Sequence, residues 1–255
     1  MAPRTFASLV PRINPSAPGC PQYTMIQYIR EAAIRVCERT LAWRYTQPTF
    51  SLLPGVHEYL YDKPANTDVH VLFDAMLNDR PLPKLVLEDA LTRYPEWADL
   101  YSGEDPSVVW GLTPSGSYNS YEYNDGLFNE NPDFVLPEEV VAKASEPRIV
   151  TQLAPDKYIV LPLPDGETYT MRMFYALKPS RNADSMDEAI FNELEEAIVH
   201  SVLQHLLVLP NVAWSDRELA SYHAKQFLRE VVERRARANL GNVRGTMRAT
   251  APKFA

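Results

Sequence analysis

From Trp43 to Lys178 the apolar residues of this 255-residue chain come in short runs broken by Pro, Gly and Asn, whereas on either side they recur every three to four residues. A period of two suits a strand with one buried face, and a period of about 3.6 suits an amphipathic helix. Two switches of period predict an α+β fold: a helical bundle built from the N-terminal helix and a C-terminal helical hairpin, with an inserted antiparallel β module. The runs Trp43–Leu53, Val56–Tyr61, Val69–Leu77, Leu82–Leu87, Ile149–Leu153, Tyr158–Leu163 and Tyr169–Leu177 read as strands. Turn chemistry at Asn78–Pro81, Ala154–Lys157 and Pro164–Glu167 joins neighbouring runs as hairpins and disfavours a parallel nucleotide-binding sheet. With 22 prolines against nine glycines, stiff segments and defined turns are expected rather than flexible linkers.

The helices carry their own punctuation. Residues 1–21 hold five prolines and no helical period, which predicts an extended arm that orders only against something else. A first helix over 22–42 has Thr24 and Gln27 at capping-box spacing, and a stripe through Ile26, Ile29 or Arg30, Ala33, Val36 or Cys37, and Leu41. Cys37 reads as a packed thiol in that stripe rather than a nucleophile. In the C-terminal hairpin, over 179–240, Ser185 with Glu188 and Ser215 with Glu218 repeat the capping spacing. Two helices are expected, about Met186–Leu209 and Asp216–Leu240, with Pro210-Asn211 between them and Gly241 as the final stop. The β module takes 43–178 and includes a surface excursion at 88–147; a basic tail follows at 241–255.

Charge is segregated along the chain. The formal net charge is −8 and the pI about 5.2. Residues 62–146 hold 17 acidic and 5 basic side chains, while 215–255 hold nine basic and four acidic. Asp187, Glu188, Glu193, Glu195 and Glu196 crowd the start of one hairpin helix, and Arg229, Arg234, Arg235 and Arg237 the end of the other; each set suits its helix dipole. The two sets can meet within a chain or between neighbouring copies. The overall acidity argues against a general nucleic-acid binder, and no run approaches the roughly 18 apolar residues of a membrane span. Two cysteines and no signal-peptide pattern point to synthesis in a reducing compartment.

Chemistry is sparse. Phosphate-loop, dinucleotide and nucleophile-elbow motifs are missing, as is a paired C-x-x-C frame. His200 and His205 diverge on a helix, and Glu193, Glu196 and His200 share a face without the second E-x-x-H that a di-iron centre needs. Glu88-Asp89, Glu104-Asp105 and Glu138-Glu139 are carboxylate neighbours whose side chains diverge, a poor start for glycoside hydrolysis. No catalytic, cofactor-binding or metal residues are therefore expected. Tyr118, Tyr121 and Tyr123, near Trp110, read as a protein-contact surface.

Cys20–Arg44, followed by Leu53–Pro64 and Asp68–Asp79, resembles the head-to-tail adaptor (connector) proteins of short-tailed bacteriophages. Leu209–His223, Glu233–Gly241 and the closing Arg248–Ala255 carry the same resemblance. It implies a structural virion protein without catalytic activity, assembled in the host cytoplasm and residing at the head-tail junction. It further implies a homo-oligomeric ring, commonly a dodecamer, that binds the portal protein and the tail nozzle or fibres and passes genomic DNA without sequence-specific binding. On that reading Asn239, Arg244, Arg248, Lys253 and Phe254 are candidates for portal docking. Glu193, Glu196, Arg234 and Arg235 are candidates for the ring interface, and Tyr118, Tyr121 and Tyr123 for the tail partner. The competing readings are a tail-associated glycan-degrading enzyme and a nucleic-acid-binding regulator that uses the basic last helix.

Overall fold

The computed structural model describes residues 3–54, 56, 58–94, 145–165 and 167–240. Strand β1 (Pro3–Thr5) leads through a 3-10 turn into α1 (Val10–Ile13), then α2 (Gln22–Thr40). Strands β2 (Arg44–Thr46), β3 (Phe50–Leu52), β4 (Glu58–Leu60), β5 (Thr67–Leu77) and β6 (Arg80–Pro81) follow, with a short α3 (Leu87–Arg93). After these come β7 (Ile149–Ala154), β8 (Lys157–Leu161), β9 (Tyr169–Pro179) and β10 (Ser185–Asp187), then helices α4 (Glu188–Leu206) and α5 (Arg217–Leu240). Helices and antiparallel sheets together make the α+β fold that the change of period predicts.

The chain forms two compact units. The helical unit comprises 1–45, 63–70 and 176–255, and the β unit 46–62 and 71–175, so that β5 and β9 each run through both. In the helical unit α4 packs against both α2 and α5, and α2 also touches α5. The sequence of α4 explains its central place: Phe191, Leu194, Ala197, Ile198, Val199, Val202, Leu203 and Leu206 are buried and spread around most of the helix. The buried face of α2 is Met25, Ile29, Ala32, Ala33, Val36, Cys37 and Thr40; Ile29, Ala33, Val36 and Cys37 of the expected stripe are in it, while Ile26 and Leu41 at its ends are only half-buried.

The helix starts hold to within two residues, but the expected caps change. Helix α2 begins behind Pro21 without a side-chain cap, not at Thr24. Ser185 lies in β10, and the cap of α4 is Asp187, which accepts from the amides of Ala189 (3.0 Å) and Ile190 (3.2 Å). At α5 the cap is Asp216, accepting from Leu219 N–H at 2.9 Å, while Ser215 Oγ donates to Leu207 O. In each hairpin helix an aspartate one or two residues after the expected serine supplies a full negative charge at the positive end of the dipole.

Residues 3–13 also differ from an extended arm. Strand β1 pairs antiparallel with β10, and Phe6, Leu9 and Ile13, spaced three and four apart, are buried. Phe6 stacks on Phe191 of α4 with ring centroids 6.2 Å apart. Pro11 stands in the first turn of α1, where its missing N–H costs nothing, so proline content alone misreads this segment.

The sheets are antiparallel. One runs β2-β9-β5-β6 with β3 also on β9, and the other runs β4-β8-β7. Asn78 and Asp79 both have positive φ (48° and 61°), the backbone of a two-residue turn that matches strand twist, and they close the β5–β6 hairpin. The β7–β8 hairpin closes at Ala154↔Lys157 as expected. Pro164–Glu167 instead connects strands of different sheets; Asp165 Oδ1 accepts the Glu167 N–H at 3.0 Å. Leu82–Leu87 is not a strand: Lys84 makes one parallel bridge to Val150 before the chain enters α3. Leu82 N–H still donates to Ala75 O at 2.8 Å and Leu85 N–H to Val150 O at 3.1 Å, so the segment passes from one sheet edge to another instead of extending either ladder.

Two clusters hold the β unit. Tyr158 lies 5.6 Å from Tyr59 and 4.9 Å from Tyr61 between ring centroids, and Tyr61 meets Tyr175 at 5.0 Å. Such aromatic pairs contribute about 0.5–1.5 kcal/mol each beyond the area they bury. The other cluster is Ala90, Ile149, Ile159, Leu161 and Leu163, which anchors α3.

Candidate assembly interface

The acidic start of α4 and the basic end of α5 do not pair with each other. Glu195 instead receives Arg4 and Arg12, both at 2.9 Å, and Arg12 also bonds Glu196. Arg4 reaches Asn192 as well, and its guanidinium lies 4.5 Å from the centre of the Phe191 ring. Burial alone would raise the Glu195 carboxyl, but hydrogen bonds from Arg12 and Arg4 outweigh it, and its pKa lies below the ordinary value. Arg12 is held above its ordinary value, chiefly by the hydrogen bond to Glu196. The acidic face of α4 is thus neutralised by arginines that precede it by about 180 residues, a pairing that no helical spacing can reveal.

On α5, Arg234 pairs with Glu230 and Arg237 with Glu233, each one turn away on the same helix. Of the four residues expected at the ring interface, Glu196 and Arg234 are therefore engaged within the chain. Glu193 is half-buried and Arg235 exposed, and neither side chain has an ion pair among the described residues. Asn239 is exposed near the end of α5 and accepts from Arg44 at 3.3 Å. Arg244, Arg248, Lys253 and Phe254 lie outside the described residues, as do Tyr118, Tyr121 and Tyr123 and the candidate C-terminal stop Gly241.

His200 does not serve a Glu–His pair. Its Nδ1 lies 2.9 Å from Nδ1 of His223 on α5, with ring centroids 5.1 Å apart. Burial lowers the pKa of both imidazoles; Glu196 and Glu230 oppose this at His200, and His200 itself adds to it at His223. Two neutral rings can share one N–H···N bond, whereas two imidazolium rings would point N–H at N–H. His223 is 8% exposed and lies on the inner face of α5, a partner that sequence spacing could not supply. Cys37 is fully buried in the α2 stripe, which pushes its thiol up to about 12. Among the described residues no group of three or more His, Cys, Asp and Glu side chains could hold a metal ion. No described helix is long and apolar enough to cross a membrane.

The solvent side of the helical unit carries exposed apolar residues beside cations. Tyr222, Leu228 and Val232 are exposed on α5, interleaved with exposed Lys225, Arg229 and Arg235. The arginines of α5 stand out in its sequence and these apolar residues do not; the signal for them is apolar side chains recurring at i and i+4 on the polar face. A second open face on α2, a hollow of about 830 Å³, is lined by Tyr23, Ile26, Ile34, Arg35 and Arg181 among others.

A helical unit bearing exposed cations, a β unit rich in carboxylates, and ion pairs within the chain define an α+β protein with segregated charge. The chain belongs to the SU10 adaptor protein family, whose model matches residues 4–250. The match covers nearly the whole chain and agrees with the resemblance to phage head-to-tail adaptors, a structural class. No curated protein matches it significantly in sequence.

Proposed function

We propose that the chain assembles into a closed ring of about twelve copies that joins the capsid portal to the tail nozzle and extends the DNA channel. The observation that carries this reading is the match to an adaptor family over residues 4–250. Opposite charge on the two units supports it, because a contact between unlike patches of successive copies propagates around an axis until it closes. Within the ring, Glu193 and Arg235 remain available to a neighbour, while Glu196 and Arg234 act inside each copy. The basic tail at 241–255 docks on the portal through Arg244, Arg248, Lys253 and Phe254, together with Asn239, which accepts from Arg44 near the end of α5. Tyr118, Tyr121 and Tyr123 face the nozzle or fibres. Net acidity suits the channel, since walls that bind phosphate tightly would retard DNA. The resulting virion component acts by assembly and not by catalysis.

Light scattering on the full-length protein, with and without the portal, tests this. The expected result is a complex of about twelve copies per portal ring that loses the portal, but keeps its own contacts, when 241–255 is deleted. A protein that stays a single chain in both conditions overturns the ring; a truncated protein that still binds the portal overturns the tail assignment alone.

A further inference from the structure

The outer face of α5 carries two features that together mark a contact surface. At about 100° per residue, Tyr222, Lys225, Leu228, Arg229, Val232 and Arg235 fall within an arc of roughly 140°. Ala220, His223, Phe227 and Val231 occupy the opposite arc and are buried in the helical unit. On the outer arc Tyr222 is 53%, Leu228 56% and Val232 69% exposed. Scattered exposed apolar residues are ordinary, but a stripe about 15 Å long on one helix face is the geometry of a docking helix. The cations on the same arc are uncommitted. Lys225, Arg229 and Arg235 have no ion pair among the described residues, whereas Arg234 and Arg237, off the arc's centre, are neutralised by Glu230 and Glu233.

Such a face calls for an apolar patch in acidic surroundings. The β unit supplies that chemistry: it holds 20 Asp+Glu against 7 Lys+Arg, while the helical unit holds 13 against 18. Its described surface shows Val86, 68% exposed, next to exposed Glu88 and Asp89. A nucleic-acid backbone would satisfy the cations but offers no counterpart to Leu228 and Val232.

We propose that the outer face of α5 is a docking surface for the acidic β unit of a second copy of this chain, with Leu228 and Val232 at its centre and Lys225, Arg229 and Arg235 at its rim. The inference rests on the ring reading above and names the surfaces that build it. Because the two patches differ, the contact is heterologous: it continues from copy to copy instead of stopping at a dimer. Buried apolar area at the centre supplies affinity, and the rim charges set partner choice and register.

The test uses the full-length protein in three forms: wild type, Leu228→Asp with Val232→Asp, and Lys225→Glu with Arg229→Glu and Arg235→Glu. All the altered residues are exposed, so both variants keep the wild-type helix content by circular dichroism. Wild type is expected to assemble well above the single-chain mass of 29.0 kDa, and both variants to fall to that mass. Raising salt from about 0.1 M to about 1 M shortens the screening length several-fold and should weaken the wild-type assembly. In a mixture of isotope-labelled and unlabelled wild type, a zero-length carbodiimide should couple Lys225 of one copy to a carboxylate of the β unit of another. Variants that assemble as wild type does, or coupling of Lys225 confined to its own copy, overturn the proposal while leaving the ring intact. Loss of duplex-DNA binding with unchanged mass also overturns it. Wild type that never exceeds one chain removes the ring reading itself, and this proposal with it.

Discussion

The helical unit and the β unit are stabilised in opposite ways. The β unit is acidic, and its described part is held by a stack of tyrosines and an aliphatic cluster, with few ion pairs contributing. The helical unit is basic, and its N-terminal segment is fastened by both means: Phe6, Leu9 and Ile13 are buried, and Arg4 and Arg12 clasp the acidic face of α4. The difference teaches how surface charge is shared between folding and assembly. Where cations are used internally, as at Arg4, Arg12, Arg234 and Arg237, their charge is already matched by a carboxylate of the same chain. Where they are unused, as at Lys225, Arg229 and Arg235, they sit beside exposed apolar residues and remain available.

The largest effect should come from the buried ring of the N-terminal segment. Phe6→Ala removes a fully buried aromatic and its stacking on Phe191, at a cost of about 3–5 kcal/mol. In chemical denaturation the loss should appear in the transition of the helical unit, followed by helix circular dichroism, with tyrosine signals of the β unit unmoved. An unchanged midpoint would mean that this segment is an optional arm after all. Breaking the clasp is the next smaller step. Glu195→Gln keeps the shape but removes the charge that two arginines share, and should cost about 1–2 kcal/mol, less at high salt because Arg12 is partly exposed.

The smallest effect is pH-linked and separates the units again. His200, His205 and His223, all in the helical unit, have pKa values lowered by burial from the ordinary 6.5. A group with a lowered folded pKa binds more protons when unfolded, so its contribution is complete above 6.5 and is lost as pH falls below it towards the folded value. Glu196, Glu230 and Arg12 are the charges that act on the His200–His223 pair. Melting temperature should therefore drop between about pH 7 and about pH 5, and the slope should flatten in the His200→Phe, His223→Phe double variant, with His205 supplying the remainder. An equal slope in wild type and variant would assign the acid sensitivity elsewhere.

Periodicity was enough to read helices at both ends and strands between them, because burial of one face imposes its spacing on the sequence wherever an element is long. It failed at short elements. Leu82–Leu87 is apolar enough for a strand, but its backbone bonds pass from Ala75 of β5 to Val150 of β7 within a few residues, so neither ladder is extended. The proline-rich first residues conceal Phe6, Leu9 and Ile13, which have a place to go only because α4 presents Phe191. The capping pattern was right about location and wrong about the residue: Asp187 and Asp216 outcompete the neighbouring Ser185 and Ser215 as acceptors.

The candidate interface was legible only in part. Charge segregation, and the basic character of α5, belong to the sequence and need no coordinates. Which charges are spent inside the chain depends on contacts across most of its length, such as Arg12 with Glu195 and His200 with His223. Local patterns constrain neighbours a few residues apart, whereas ion pairing and exposure are set by which elements the tertiary fold brings together. The sequence by itself thus determined the element types and the sign of charge on each region; tertiary structure alone decided that α4 is covered and the outer face of α5 left open.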